Sequence, residues 1–445
     1  MLRTVCLISF LSLLSLQIFG QTKSLIHGTK LPIIYIRNIT ISGNEKTEES
    51  VIRRELTIVT GDTFKLSQVA YDKSRVYSLG LFNKVDFTSH EAGDDSVDVS
   101  ISVIERWYIF PFPLFGFHNG DWNKLYYGGG LIQTTFRGRN EKLVGSFTIG
   151  YNPYLDLYYL NPNIKESSEL FFETRFFAQR LHSRSIVSQQ KGNSYEEKHY
   201  SSYMNFGKRY DLFRRLSFGM EFNSVNISKY KKGRTISNNG KDNYFSLKFA
   251  YSYDSRDLTN YTLDGLWFRT SFSKVGLSEQ SVNFTRISFD VRKYILLKID
   301  TTISITTAAR FFSTISSGKN LPEYEHVFFG YGERLRGYGF KIFEGDNLAG
   351  TSLEFRIPIL APRIYHLSFI PISQFAYSRF GMYAALFGNV GAVQYQSLKL
   401  SEYNFAKGYG LGLHFILPYD FVMRAEIAWN EFHKSELIVD LGSSF

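Results

Sequence analysis

Apolar and polar residues alternate with a period of two along most of this chain. In 244–253, Phe245, Leu247, Phe249, Tyr251 and Tyr253 alternate with Tyr244, Ser246, Lys248, Ala250 and Ser252. In 299–311, Ile299, Ile303, Ile305, Ala309 and Phe311 oppose Asp300, Thr302, Ser304, Thr306 and Arg310, and near the end Leu411, Leu413, Phe415 and Leu417 oppose Gly410, Gly412 and His414. Successive side chains of a strand point to opposite faces, so each segment has one apolar face and one face that tolerates charge. Segments of about ten residues with this pattern are what a lipid-facing, lumen-facing barrel wall requires. Sixteen can be marked, near 107–117, 124–137, 141–151, 153–161, 169–180, 196–209, 213–226, 243–254, 265–275, 281–294, 298–312, 347–358, 379–393, 405–417, 420–430 and 436–445. The even number suits a closed antiparallel transmembrane β-barrel. Long polar connections at 181–195, 227–242 and 313–346 alternate with short ones at 138–140 and 418–419, as loops on one side and turns on the other would.

Residues 33–106 follow a different rule. Ile39 and Ile41 alternate with polar neighbours up to the turn pair Gly43-Asn44. Thr47 then caps a predicted helix whose first turn carries Glu48 and Glu49 and whose Val51, Ile52 and Leu56 share one face. After Gly61-Asp62 a second helix is predicted from Leu66, with Val69, Ala70, Val76 and Leu79 at helical spacing, ending at Gly80. Strands at 82–88 and 97–103 complete a small α+β unit of order β-α-α-β-β.

The first twenty residues set the compartment. Arg3, the apolar stretch 5–16 and Gly20 before Gln21 give a charged start, an apolar centre and a small residue at a cleavage point, so 1–20 read as a signal peptide. Beyond residue 20 no window has the roughly 18 to 20 apolar residues of a spanning helix, which leaves strands as the membrane-crossing element. The single Cys among 445 residues excludes a disulfide framework and a cysteine zinc cluster. Of the charge, residues 33–106 carry a net −3 and 107–445 a net +10. A basic balance invites a nucleic-acid partner, but secretion and barrel patterning argue against one. Basic loops such as 229–234 suit anionic lipid head groups instead. No nucleotide loop, metalloprotease helix or nucleophile elbow is present, and His414, on the polar face of its strand, has no identifiable catalytic partner. The reading is a non-enzyme without a cofactor.

Several strings carry a family resemblance. Ile39-Thr40-Ile41-Ser42-Gly43-Asn44, Val51-Ile52-Arg53-Arg54-Glu55-Leu56, Gly61-Asp62, Leu79-Gly80-Leu81-Phe82-Asn83-Lys84-Val85 and Val103-Ile104-Glu105 resemble a POTRA domain. Leu335-Arg336-Gly337-Tyr338, framed by Gly330, Gly332 and Gly339, is similar to the Arg-Gly-aromatic motif of the BamA/TamA outer-membrane assembly family. The resemblance implies a sixteen-stranded barrel at 107–445 in the outer membrane, with one periplasmic POTRA domain at 33–106. It implies insertion of client outer-membrane proteins at a lateral seam, contact with outer-membrane lipids, and accessory subunits met through the POTRA domain; the alternative is a passive pore or a dedicated secretion barrel. It also implies that the motif sits on a loop tucked into the lumen, where Arg336 pairs with acids on the two following strands. Glu354 stands at the first acidic position, but Asn389 stands where the family has Asp. A charge-assisted bond is roughly twice as strong as a neutral one, so a loop held through Glu354 alone should dock less firmly. The seam is expected where Pro111 and Pro113 meet Leu441, Gly442 and Phe445; the two prolines either lie in the first strand or precede it as a linker.

Overall fold

The computed structural model describes residues 33–442, apart from 119–120, 166–167, 187–194, 229, 231–233, 279–280, 301–303, 340, 372–375 and 397–403. The segment 1–20, most of the basic loop 229–234, and Phe445 lie outside the described residues.

The first unit contains β1 (Tyr35–Ser42), α1 (Glu49–Arg53), α2 (Leu66–Ser78), β2 (Phe82–Gly93) and β3 (Ser96–Glu105). Its sheet has the order β1-β3-β2, with β1 parallel and β2 antiparallel to β3. Ile39, Val51, Ile52, Val76, Phe82, Val99, Ile101 and Val103 pack into one core between sheet and helices. Thr47 does not cap α1. The helix starts after Glu48, and the Thr47 amide donates instead to Glu105 Oε1 at 2.7 Å, tying the turn to the end of β3. Asp72 of α2 is fully buried and accepts from the amides of Thr57 and Ile58 at 2.9 and 3.0 Å, which satisfies backbone donors in the α1–α2 connection.

The rest is one antiparallel sheet of sixteen strands. They are β4 (Ile109–Phe117), β5 (Leu125–Phe136), β6 (Glu141–Gly150), β7 (Tyr154–Asn161), β8 (Leu170–His182), β9 (Glu196–Arg209), β10 (Arg214–Ile227) and β11 (Lys241–Asp254). Then come β12 (Gly265–Val275), β13 (Asn283–Lys298), β14 (Ser304–Asn320), β17 (Asn347–His366), β18 (Tyr377–Gln394), β19 (Ala406–Ile416), β20 (Val422–Asn430) and β21 (Ser435–Leu441). The short hairpin β15 (Val327–Phe329) and β16 (Phe343–Gly345) stands apart, inside the β14–β17 loop. Strand β17 continues eight residues past Pro358, where the sequence reading stopped it. Register shifts at 358–360 and 360–363 let the strand pass Pro358 and Pro362, residues with no amide for a regular ladder.

Burial is inverted relative to a water-soluble sheet. On β17, Leu353 and Phe355 are 44% and 40% exposed while Glu354 and Arg356 between them are 0% exposed. On β19, Tyr409, Leu411 and Leu413 face outward and His414 is buried. Apolar residues outside and paired charges inside are the arrangement a bilayer selects.

The small domain sits against the turns at one mouth of the barrel. Asp420, in the β19–β20 turn, accepts from Arg106 at 2.6 Å, from the Tyr77 hydroxyl at 2.9 Å and from Arg379 at 3.4 Å. Burial, with Asp420 beside it, pushes the Tyr77 phenol up to about 12, so it stays a donor. Glu55 joins Arg75 of α2 to Arg209 of β9, both at 2.6 Å. Burial would raise the Glu55 carboxyl, but the two guanidiniums outweigh it and hold it below the ordinary range. A lowered carboxyl contributes stability above its unfolded value, and that contribution disappears only as pH falls through the lowered one. The joint should therefore hold at neutral and mildly acidic pH and loosen below about pH 4. Asp420→Ala removes the acceptor of three donors at once, so faster limited proteolysis near 106–108 at neutral pH is the expected result; an unchanged cleavage rate would mean that other contacts carry the joint.

Candidate functional site

The β14–β17 loop, 321–346, turns inward and lays the Arg336 motif against the inner wall. Its N-terminal part is fastened by Glu325, which accepts from Tyr244 at 2.7 Å and Arg286 at 3.0 Å, and by Glu333, which accepts from Arg310 at 2.7 Å. Arg336 reaches farther. One terminal nitrogen donates to Glu354 and to Glu426, both at 3.0 Å; the other donates to Asn389 at 3.0 Å. The guanidinium carbon lies 3.5 Å from the centroid of the Phe387 ring, in cation–π contact.

Two glycines make room for this approach. A Cβ on Gly408 would stand 1.9 Å from the Arg336 carbonyl oxygen. Gly337 has φ +95°, and a Cβ there would stand 2.8 Å from the Trp429 backbone. The small residues are thus placed where loop backbone lies directly on strand backbone.

Glu426, on β20, was not foreseen. It gives Arg336 the second carboxylate that Asn389 does not, so the expectation of docking through one acid is corrected. The network continues: Glu354 also accepts from Arg356 at 2.7 Å, and Glu426 from Arg424 at 3.1 Å. Asp440 of β21 accepts from Arg424 at 2.8 Å, and Arg356 donates to the Thr262 carbonyl at 3.0 Å. Three guanidiniums thus meet the buried Glu354 and Glu426 and the half-exposed Asp440, and the two buried carboxylates have the partners that charges taken out of water need. His414 bridges Glu426 and the Tyr261 hydroxyl, both at 3.0 Å, and so extends the network rather than serving a nucleophile. Glu354, His414 and Glu426 offer ligand atoms within 4.8 Å of one another. Arg336, Arg356 and Arg424 already donate to those carboxylates, so the cluster fits an ion-pair network better than a cation cage.

At the seam, both prolines lie inside β4. Thr134 donates its amide to the Tyr108 carbonyl, and the β4–β5 register pairs Ile109 with Gln133 and Pro111 with Leu131. Antiparallel residues alternate between bonded and non-bonded pairs, so Pro111 and Pro113, an odd number of residues from Tyr108, have their nitrogens on the edge away from β5. That edge lacks two donors. Among the described residues, no ladder joins β4 to β21; the sheet begins with one and ends with the other. Phe110 of β4 packs edge-to-face on Tyr419 of the β19–β20 turn, ring centroids 5.4 Å apart. Leu441 faces outward, and the Gly442 amide donates to the Val422 carbonyl at 2.6 Å, one step past β21.

Sixteen antiparallel strands with an outward apolar face, behind a β-α-α-β-β domain, define a transmembrane barrel of the outer-membrane type with a POTRA domain. Residues 135–437 match the Omp85 superfamily domain and 34–106 the surface antigen variable number repeat of the POTRA type. The chain belongs to the Omp85 superfamily. It is 37% identical over 71 residues to the outer membrane protein assembly factor BamA of Neorickettsia risticii, covering 16% of this chain and 10% of that one. Against the BamA of Nitratidesulfovibrio vulgaris it is 21% identical over 346 residues, covering 72% of this chain and 41% of that one. The chain therefore spans less than half the length of these relatives. Among solved structures, BamA from Haemophilus ducreyi lacking POTRA domains 1–3 superposes with a TM-score of 0.52 at 18% identity, over 92% of this chain and 83% of that one. CdiB from Escherichia coli superposes with a TM-score of 0.57 at 10% identity, over 92% and 75%. Both likenesses are of fold.

Proposed function

We propose that this protein is an outer-membrane insertase that templates client β-strands at the seam between β4 and β21, its POTRA domain facing the periplasm. The observation that carries this reading is the sheet's two ends, unpaired among the described residues, one of them short of two donors. A strand edge is a template for another strand. An edge left open by its partner offers an incoming client hydrogen bonds that a fully closed barrel would keep to itself. The donors missing at Pro111 and Pro113 leave β4 less able to close on β21, while β21 keeps a continuous edge. Outer-membrane lipids would meet the exposed faces of both strands, and periplasmic accessory subunits would meet the POTRA domain. Nothing in this chemistry requires a cofactor.

The loop packed into the lumen argues against a freely conducting pore, the competing reading. Reconstitution decides between them. A small outer-membrane barrel, unfolded in urea and diluted into liposomes, should fold roughly tenfold faster or more when the vesicles contain this protein. Steady conductance with no acceleration would overturn the insertase reading in favour of a pore or a dedicated secretion barrel.

A further inference from the structure

Strand β21 has a backbone partner on one side, β20, with pairs from Met423–Leu441 to Trp429–Ser435. Among the described residues, its side-chain hydrogen bonds on the lumen side lead to the docked loop. Glu436 Oε2 accepts from the Gly337 amide at 2.8 Å and from the Gly339 amide at 2.9 Å, while Oε1 accepts from Arg334 at 3.2 Å. Two backbone donors converging on one oxygen form an anion-binding nest, which favours a carboxylate over a neutral acceptor. The Glu436 side chain is only 13% exposed, so this contact is sheltered from water. A second, indirect link runs from Asp440 through Arg424 and Glu426 to Arg336. The hairpin turn is held as well: Tyr338 donates to Glu431, and Asn430 donates to the Gly337 carbonyl at 2.9 Å.

We propose that Glu436 is a positioning residue that clamps the seam strand β21 to the docked loop, so that the loop's state sets how freely β21 can leave β20. The glycines flanking Tyr338 then have a role beyond tight packing: their amides bind the carboxylate of the strand that borders the seam. Among the described residues, Glu436 is where the loop backbone grips β21 directly. The clamp rests on the seam reading above, because its use is to restrain the edge that a client would meet.

Amide hydrogen exchange on the full chain in lipid nanodiscs tests it without any client, so failure of the clamp and failure of insertion are separate results. Glu436→Ala should speed exchange of amides 435–441 by roughly tenfold, with amides of β17 and β18 unchanged. Glu436→Gln keeps an acceptor but loses the charge and should raise it by only about threefold. In an Arg336→Ala background, where the loop is already released, Glu436→Ala should add less than about twofold, the coupling expected of contacts that act as one unit. Exchange in β21 unchanged by Glu436→Ala, raised equally across β17–β19, or multiplied independently of Arg336→Ala would each overturn the clamp.

Discussion

Arg336→Ala should release the β14–β17 loop from the barrel wall and cost about 3 kcal/mol or more of barrel stability, as breaking a buried ion pair does. The size follows from what the guanidinium serves. It donates to two fully buried carboxylates and an amide, and it covers the face of Phe387. Glu354 and Glu426 would keep Arg356 and Arg424, so neither is left bare; this places the cost at the low end of the range for buried pairs. Heat-modifiable gel migration should show the barrel unfolding at a lower temperature, and trypsin should cut within 321–346. Arg336→Lys should fall between, since an ammonium retains the charge but cannot direct separate planar donors at Glu354 and Asn389. Wild-type migration and protease resistance in Arg336→Ala would mean that docking does not depend on this network.

Gly408→Ala is expected to be nearly as severe, although it removes no interaction. The new methyl would stand 1.9 Å from the Arg336 carbonyl oxygen, and neither backbone can yield without breaking the β19 ladder or lifting the loop. Overpacking of this kind costs typically about 1–3 kcal/mol, more where rigid backbone is met. The same protease assay reads it. The signature is a loop released with the Arg336–Glu354–Glu426 chemistry left intact, which distinguishes exclusion from lost pairing. Gly332→Ala, where a Cβ meets nothing within 4 Å, is the matched control and should leave the loop in place.

Much of this architecture is legible because a barrel wall writes its geometry into the chain residue by residue. Alternation gives strand number and facing, and the exposed Leu353 and Phe355 beside buried Glu354 and Arg356 follow from it directly. The longer POTRA helix α2 is legible at a period of 3.6, whereas α1 is a single turn that ends before Leu56. Arg336 and Glu354 were legible through the resemblance of Leu335-Arg336-Gly337-Tyr338, and of the strand after it, to the family's docking motif. Glu426 and Glu436 carry no such mark. Each is one acid on an alternating strand, and its meaning depends on lying beside the loop, a matter of register across the sheet and of a turn 90 residues or more away in sequence. Asp420 is hidden in the same way: it reads as a turn residue, and only docking of the POTRA domain gives it three donors. The place of Pro111 and Pro113 was ambiguous because a proline can start a strand or sit on its edge. The register with β5 resolves it.

If the β4–β21 seam does the work, locking it should abolish activity. Because the sole Cys lies at position 6, within the predicted signal, cysteines introduced into 109–117 and 435–441 can form one defined disulfide across the seam. Acceleration of client folding in liposomes should be lost when that bridge is oxidised and return when it is reduced; equal acceleration in both states would mean that clients do not fold at this seam.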